Sequence, residues 1–420
     1  MKHALVIPLA AQGHVAATYR LSLQLARRGV TITFVTLAND VPNMKAYEEL
    51  QGLDFRIISY PPSLAAAPSA AGFSAFGDLM KASGVHFKPI LDDLKEFEGS
   101  LSVPGLPPLT YADLPTGSVC ARPQLGIAIG KGMEKAEGII VNTFYELEYP
   151  QVDEIERRLV EQASTSGSKK TELFLVGPLS NAANFKNLSF SRIGLKAGKL
   201  EHDTKGVESL QWLYSQPPHS VLYICMGSVY DWNPSQVNEL ALALESSGQR
   251  FLWVLPVGGQ IASLDAVLPA GFEERMRSRG IGLVATGWVP QLQILTQSAV
   301  GGFLTHCGWN SSIESISAGV PLICWPQVAE QHLNRKYIVD VLKIGVDLGP
   351  RVSGSTFVRH EEFEKAVRFL MVEDEGKAMR SKVRELMLTA SAAVTAGGAS
   401  SRALDELSKR IPGNCTNLLH

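Results

Sequence analysis

The sequence predicts an α/β protein of two domains, each a parallel sheet with helices on both faces. Three observations support this prediction. Short apolar segments alternate with helical patterns, the alternation breaks once at a polar stretch and then restarts, and 420 residues are enough for two or three domains. Strands that are buried on both faces of a parallel sheet are apolar throughout, and these segments are. The order strand, helix, strand then favours parallel pairing.

The N-terminal half is predicted to contain five strands. They cover residues 4–8, 30–35, 55–58, 138–142 and 173–176. One helix follows the first strand and ends at Gly29, and another runs from about 145 to 161. Residues 62–76 and 103–108 are predicted to be surface loops, because they are rich in proline, alanine, serine and glycine. These elements define an N-terminal domain over residues 1–180, followed by a linker over 181–205.

The C-terminal half repeats the pattern over residues 206–400. Its predicted strands cover 221–225, 251–254, 282–285, 302–304 and 320–324. A helix is expected to begin with Asn233 as its cap and Pro234 in its first position, and to end at Gly248. A final helix and tail, residues 401–420, are expected to pack back toward the N-terminal domain. Two Rossmann-like domains facing one another are therefore predicted, with ligand at the carboxyl ends of the strands.

Charge and cysteine content exclude several classes. Lys and Arg number 39 against 41 Asp and Glu, so the net charge of −2 does not favour a nucleic-acid partner. The five cysteines show no C-x-x-C spacing, which argues against a disulfide framework or zinc site and predicts a cytoplasmic location. No apolar run reaches the roughly 18 residues of a membrane span. The apolar residues 4–11 are interpreted as a buried strand rather than a signal-peptide core.

The chemistry-bearing residues converge after the strand at 302–304. A glycine turn there leads into a helix near Asn310, whose N-terminus favours a phosphate. His306 and Ser311 add donors at the same place, and Glu314, one turn along, can accept hydrogen bonds from sugar hydroxyls. Taken singly, such groups are more often a structural histidine, a helix cap or a core side chain. Their convergence at the edge of an α/β sheet favours a ligand site.

The segment from Trp288 to Gln331 resembles the signature box of plant UDP-dependent glycosyltransferases, the plant secondary product box. Similarity to the family extends to 141–148, 211–218, 226–228 and 248–253. The resemblance implies a GT-B type fold and a UDP-sugar site. The residues it assigns to that site are Ser228, Trp288, Val289, Gln291, His306, Gly308, Trp309, Asn310, Ser311, Glu314, Glu330 and Gln331.

The same resemblance assigns each of these residues to one part of the UDP-sugar donor. Trp288 is implied to stack on the uracil and the backbone of Val289 to bond its edge, with Gln291 beside the ribose and Glu314 on the ribose hydroxyls. The residues implied to grip the diphosphate are Ser228, His306, Asn310, Ser311 and the N–H groups after Gly308. Because the helix N-terminus can neutralise the leaving diphosphate, no metal or cofactor is expected.

At the far end of the donor, Trp309, Glu330 and Gln331 are implied to face the sugar. A glutamine at the position of Gln331 is associated in this family with glucose, so UDP-glucose is the expected donor. The acceptor is expected to be a flavonoid, another phenolic or a terpenoid hydroxyl compound, bound by loops 61–86 and 109–130. A monomer is expected.

His14 follows the first predicted strand, where the family places its general base. A histidine titrates near neutral pH and can take a proton from an acceptor hydroxyl as that oxygen attacks the anomeric carbon. Attack from the side opposite UDP inverts the configuration. Without the resemblance, His14 is equally well interpreted as an incidental surface residue.

The sequence departs from the family around 98–103. Relatives orient the histidine with an aspartate on a strand that precedes the Val-Pro-Gly-Leu-Pro-Pro segment, and here that strand is missing. Asp92, Asp93 and Asp113 are the nearest acids, but none is expected to replace it. A homologue that binds UDP-sugar with impaired catalysis is therefore the alternative. A dinucleotide oxidoreductase is disfavoured, because neither G-x-G-x-x-G nor G-x-x-x-x-G-K-[ST] occurs.

Overall fold

The computed structural model describes residues 2–6, 8, 12–37, 52–60, 107–109, 113, 136–167, 169–180, 204–227, 232–348 and 357–411. These residues form two compact units. The first unit comprises the described residues of 2–60, 136–180 and 392–411, and the second comprises 107–109, 113 and 204–391. The sequence-based division was wrong in two places. It put Leu109 and Asp113 in the first domain and residues 392–400 in the second.

The described strands of the first unit form two parallel sheets. One has the order β1-β2-β3 and the other pairs β4 with β5. The strands are β1 (His3–Val6), β2 (Thr31–Leu37), β3 (Phe55–Tyr60), β4 (Gly138–Val141) and β5 (Glu172–Leu175). The helices are α1 (Gln12–Ala26), α2 (Tyr145–Ser166) and α11 (Ala399–Arg410).

The core of the first unit joins segments that are far apart in sequence. Tyr19 of α1 packs edge-on against Phe34 of β2 and Phe55 of β3, at centroid distances of 5.7 and 5.6 Å. Leu404 and Leu407 of α11 belong to the same core. Such burial contributes about 1.5–3 kcal/mol for each large apolar side chain. The first unit is therefore completed by a helix that follows the entire second unit in the chain.

The second unit contains one six-stranded parallel sheet among its described residues. Its strands are β6 (Val221–Cys225), β7 (Arg250–Val254), β8 (Gly282–Ala285), β9 (Val300–Thr305), β10 (Leu322–Cys324) and β11 (Gly345–Asp347). Its helices are α3 (Thr204–Tyr214), α4 (Pro234–Ser247), α5 (Phe272–Ser278), α6 (Gln291–Leu295), α7 (Trp309–Ala318), α8 (Gln331–Lys336), α9 (His360–Met371) and α10 (Asp374–Val394). The last turn of α10, from residue 392, already belongs to the first unit. A π-helical turn, Tyr337–Val341, continues α8.

The strand order of this sheet is β11-β10-β9-β6-β7-β8. Chain order therefore reverses between β6 and β9, which is the topological switch point where doubly wound sheets bind ligands. Strands β8, β9 and β10 are buried along their whole length, as expected for a sheet covered on both faces. Trp232, Trp253 and Trp325 form the aromatic centre of the core beneath the sheet, with centroids 5.5 and 6.0 Å from Trp232.

The predicted α/β class with parallel sheets is confirmed. The predicted cap of α4 is also confirmed, because the Asn233 side chain accepts a hydrogen bond from the N–H of Ser235 at 2.9 Å and Gly248 ends the helix at φ 64°. Strand β11 was not predicted, and α3 begins at Thr204, inside the predicted linker. The predicted truncation around 98–103 lies outside the described residues. Within the part of the chain that the structure describes, no helix is long and apolar enough to cross a membrane.

Candidate functional site

The switch point of the second sheet brings two glycine-containing turns together. Cys225 ends β6 beside Thr305, which ends β9. Gly227 follows in the left-handed region at φ 74°, and a Cβ atom added there would lie 2.8 Å from Cε1 of His306. Both the backbone conformation and the close approach require glycine. The His306 ring is thus packed against the turn that leads toward Ser228, a predicted site residue that lies outside the described residues.

His306 is also packed against Gly308. A Cβ on Gly308 would lie 2.5 Å from Nε2 of the ring, although Gly308 itself has an ordinary φ of −59°. Burial lowers the pKa of His306 to about 4. The ring is therefore neutral at pH 7 and can donate one hydrogen bond while bringing no charge into the site.

Helix α7 begins directly after this turn. Gly308 is its N-cap residue, no side chain caps the end, and no acidic residue occupies its first turn. Backbone N–H groups and the positive end of the helix dipole at such an end favour an anion. Asn310 and Ser311, the predicted diphosphate ligands, lie in this first turn. The local arrangement therefore suits a phosphate group.

A hydrogen-bonded triad lies one turn further along α7. Nε2 of Gln291 donates to Oε2 of Glu314 at 2.8 Å and to Oγ of Ser311 at 3.1 Å. Glu314 is only 5% exposed, so its carboxylate is held away from bulk water. The triad brings α6 and α7 together and presents carboxylate oxygens that could accept hydrogen bonds from hydroxyl groups.

Trp288 and Val289 follow β8 on the way to α6. Trp288 is 48% exposed, whereas Val289 is buried. The half-exposed indole offers a flat face for a base to stack on. The structure thus places these two residues before the triad, in the same unit.

Two of the predicted sugar-facing residues, Glu330 and Gln331, lie where β10 leads into α8, and the third, Trp309, begins α7. Oε1 of Gln331 accepts hydrogen bonds from the N–H groups of Gln327 and Val328 at 2.9 and 3.0 Å. Ala329 has φ 58°, and Glu330 is exposed. The Gln331 side chain therefore closes the loop that carries Glu330.

Helix α8 makes two contacts that the sequence analysis missed. Nδ2 of Asn334 donates to the carbonyl of Cys307 at 2.9 Å, which links α8 to the turn holding His306. Arg335 forms an ion pair with Asp113, whose carboxylate is buried. Asp113 was expected to lie in a loop of the first domain, and no sequence pattern indicates that it pairs with a helix more than two hundred residues away.

His14 lies in the first unit, near the start of α1, and is exposed. Its carbonyl accepts a hydrogen bond from Oγ1 of Thr18 at 2.7 Å. Among the residues described for this unit, no carboxylate hydrogen-bonds the ring. Asp92 and Asp93 lie outside the described residues, and the carboxylate of Asp113 accepts a hydrogen bond from Arg335.

In the part of the chain that the structure describes, one group of three side chains could hold a metal ion. It consists of Glu239, His360 and Glu361, on α4 and α9. None of these three is among Gln291, His306, Gly308, Asn310, Ser311 and Glu314, the residues that we call the switch-point site. The donor set around α7 offers a histidine, amides, hydroxyl groups and a single carboxylate, which suits an anionic organic ligand better than a hard cation.

Comparisons with known proteins point to one family. A sequence profile of the family described as UDP-glucoronosyl and UDP-glucosyl transferase matches residues 192–367. Isoflavone 7-O-glucosyltransferase 1 of Glycine max is 34% identical, over 93% of this chain and 79% of the relative. Malvidin galactosylase UGT88C3 of Oryza sativa subsp. japonica is 37% identical, over 79% of this chain and 68% of the relative.

A solved structure supports the same assignment. Medicago truncatula UGT71G1 complexed with UDP-glucose matches with a TM-score of 0.71 and 26% identity, covering 98% of each chain. The chain spans 54–66% of the length of three further curated relatives, which it matches at 35–40% identity.

Proposed function

The chain belongs to the plant-type UDP-glycosyltransferase family, and from this premise we propose that it transfers glucose from UDP-glucose to a hydroxyl group of a small acceptor. The observation that carries the proposal is the switch-point site, where a neutral histidine, a helix N-terminus and a buried carboxylate lie within one strand-turn-helix segment. The acceptor class is a flavonoid, another phenolic or a terpenoid, and relatives named for isoflavone and malvidin acceptors support it.

We assign the nucleotide end of the donor to α6 and α7. The exposed indole of Trp288 stacks on uracil, and the backbone of Val289 bonds the edge of the base. Glu314 accepts hydrogen bonds from the ribose hydroxyls, and Gln291 beside it holds the carboxylate in place. Because Gln291 already holds the Glu314 carboxylate, this side chain loses little conformational freedom when the nucleotide binds, which favours binding.

We assign the diphosphate to the turn before α7. Neutral His306 donates one hydrogen bond, and Asn310, Ser311 and the N–H groups after Gly308 donate others, with Ser228 expected beside them. Negative charge builds on the diphosphate as the sugar leaves, so fixed donors at a helix N-terminus stabilise that transition state more than the ground state. The proposal includes no metal and no cofactor.

The sugar lies at the end formed by Trp309, Glu330 and Gln331 in this proposal, and Gln331 favours glucose. One relative is named a galactosylase, so UDP-galactose is the donor to compare. His14 removes the acceptor proton as the oxygen attacks the anomeric carbon, with inversion of configuration. We further propose that the chain acts as a monomer in the cytoplasm.

The direct test measures turnover. Purified protein is incubated with UDP-glucose or UDP-galactose and a panel of flavonols and isoflavones, and UDP release and product mass are followed. We expect glucosylated product with the β configuration, with UDP-galactose the slower donor and activity unchanged by a chelator. Binding of UDP without turnover across the panel indicates the catalytically impaired homologue. Failure to bind UDP contradicts the site assignment itself.

A further inference from the structure

Five charged residues form a partly buried group around α8, which we call the α8 ion cluster: Asp113, Arg335, Lys336, Asp340 and Asp347. Nη2 of Arg335 lies 2.5 Å from Oδ1 of Asp113, and its Nη1 lies 2.7 Å from Oδ2 of Asp347. Nζ of Lys336 lies 3.2 Å from the second oxygen of Asp113. The Asp113 side chain is 4% exposed, and those of Arg335 and Lys336 are 11% and 13% exposed.

The cluster fixes the position of α8 more than it stabilises the fold. Removing charges from water is costly, and buried ion pairs are often no more stabilising than apolar side chains of the same volume. A guanidinium, however, directs its hydrogen bonds in fixed directions. Arg335 uses the two ends of its fork on Asp113 and on Asp347 of β11, so α8 is held from two sides at once.

The first turn of α8 belongs to the proposed sugar end of the donor site. Gln331 precedes Arg335 by one helical turn, about 6 Å along the axis. Its side chain bonds the loop that carries Glu330, and Asn334 bonds the turn that carries His306. A shift of α8 therefore moves the sugar-facing residues, whereas the Gln291–Glu314 triad has its own contacts on α6 and α7.

We propose that Asp113 is a positioning residue for the sugar of the donor. It acts through Arg335 and Lys336 on α8, and so sets Glu330 and Gln331 against the hexose. The inference rests on the proposed function, because it presumes that these two residues face the sugar. Asp113 comes from a segment that lies in the sequence between two parts of the first unit, while its carboxylate belongs to the second. Asp113 thus influences donor recognition rather than proton removal.

The test compares two ligands that share the nucleotide and differ in the sugar. The affinities of UDP and UDP-glucose are measured by calorimetry for the wild-type protein and for Asp113→Asn, which keeps the shape of the side chain and removes its charge. We expect affinity for UDP-glucose to fall about tenfold and affinity for UDP to change less than twofold. In turnover assays, KM for UDP-glucose rises more than kcat falls.

Two further variants complete the design. Lys336→Gln removes the longer of the two bonds to Asp113, and it shows the same selective loss at smaller size if Asp113→Asn does not fold. Glu245→Gln is the matched control, because Glu245 is bound by both ends of Arg275 in the same unit and away from α8. It leaves both affinities unchanged.

The outcomes separate the inference from the function beneath it. Equal losses for UDP and UDP-glucose, or no loss for either, overturn the positioning role and make the cluster purely structural. Wild-type protein that binds neither ligand overturns the proposed function and this inference with it. Selective loss of UDP-glucose affinity in Asp113→Asn or Lys336→Gln, with Glu245→Gln unchanged, supports the positioning role.

Discussion

The two histidines of the proposed reaction are held in opposite ways. His306 is packed against Gly227 and Gly308, so closely that a Cβ on either glycine would overlap its ring. Its pKa is lowered to about 4 by burial. His14 is exposed near the start of α1, and no carboxylate of the described residues bonds its ring. The ring of His306 is thus fixed by packing that the fold supplies, whereas His14 is exposed.

A ring fixed by packing keeps its orientation with or without ligand, so binding requires little reorganisation. A base on the surface depends on a partner or on the substrate for its orientation. Variants of the two histidines and their neighbours should therefore affect different steps.

Replacing His14 with alanine should lower kcat by about 10²–10⁴-fold, which is the contribution typical of a general base. The affinity for UDP should stay within twofold, because no UDP contact is assigned to His14. Steady-state kinetics and calorimetry measure the two quantities. His14→Gln keeps a polar side chain of similar size and should be equally slow. A variant that turns over at the wild-type rate contradicts the role of His14 as base.

Replacing Gly308 with alanine should weaken UDP binding by about 2 kcal/mol, near thirtyfold. The added methyl group overlaps Nε2 of His306 at 2.5 Å and forces the ring away from its place. Because φ at Gly308 is −59°, alanine adds no backbone strain, and the effect is steric. Titration with UDP gives the affinity, and a melting curve shows that the fold persists. Unchanged affinity indicates that the ring position does not matter for binding.

The lowered pKa of His306 should make the protein less stable in acid. Between about pH 6.5 and 4 the unfolded chain binds a proton at this residue and the folded chain does not, so stability falls as the pH falls. We expect a loss of about 2 kcal/mol from this group between pH 7.5 and 4.5. Urea unfolding of wild-type protein and His306→Gln at both pH values measures it. If both proteins lose the same amount, His306 is not the cause.

Replacing Glu314 with glutamine should weaken UDP binding about tenfold by removing a charged acceptor for the ribose hydroxyls. The analogue 2′,3′-dideoxy-UDP lacks those hydroxyls and provides the comparison. Wild-type protein should prefer UDP to the analogue, and Glu314→Gln should lose that preference. An equal weakening for both ligands places Glu314 elsewhere than at the ribose.

Much of the fold could be predicted because its strands are apolar on both faces. β6, β8 and the cap of α4 follow directly from local sequence. β11 could not be predicted, since Gly345–Asp347 is three residues long and is stabilised by pairing with β10 rather than by its own pattern. The final helix was expected to pack toward the N-terminal domain. Which side chains of α11 enter the core of the first unit depends on tertiary packing between segments far apart in sequence, so the sequence could not predict it.

The candidate site divides in the same way. Residues 288–331 are close in sequence, so a motif predicts them together, and within that segment the structure joins Gln291, Ser311 and Glu314 by hydrogen bonds. The bond from Asn334 to Cys307 and the ion pair of Asp113 with Arg335 join residues that carry no mutual signal in one sequence. The roles of the individual site residues remain predictions, to be tested by the variants above.

The place of α11 in the first unit has a consequence for biogenesis. Leu404 and Leu407 leave the ribosome after every residue of the second unit, although they complete a core that also contains β2. The portion that is translated first is therefore among the last to finish folding. Its apolar surfaces stay exposed during synthesis until α11 has been made. Nascent chains stalled before residue 399 should bind chaperones through their earliest segments.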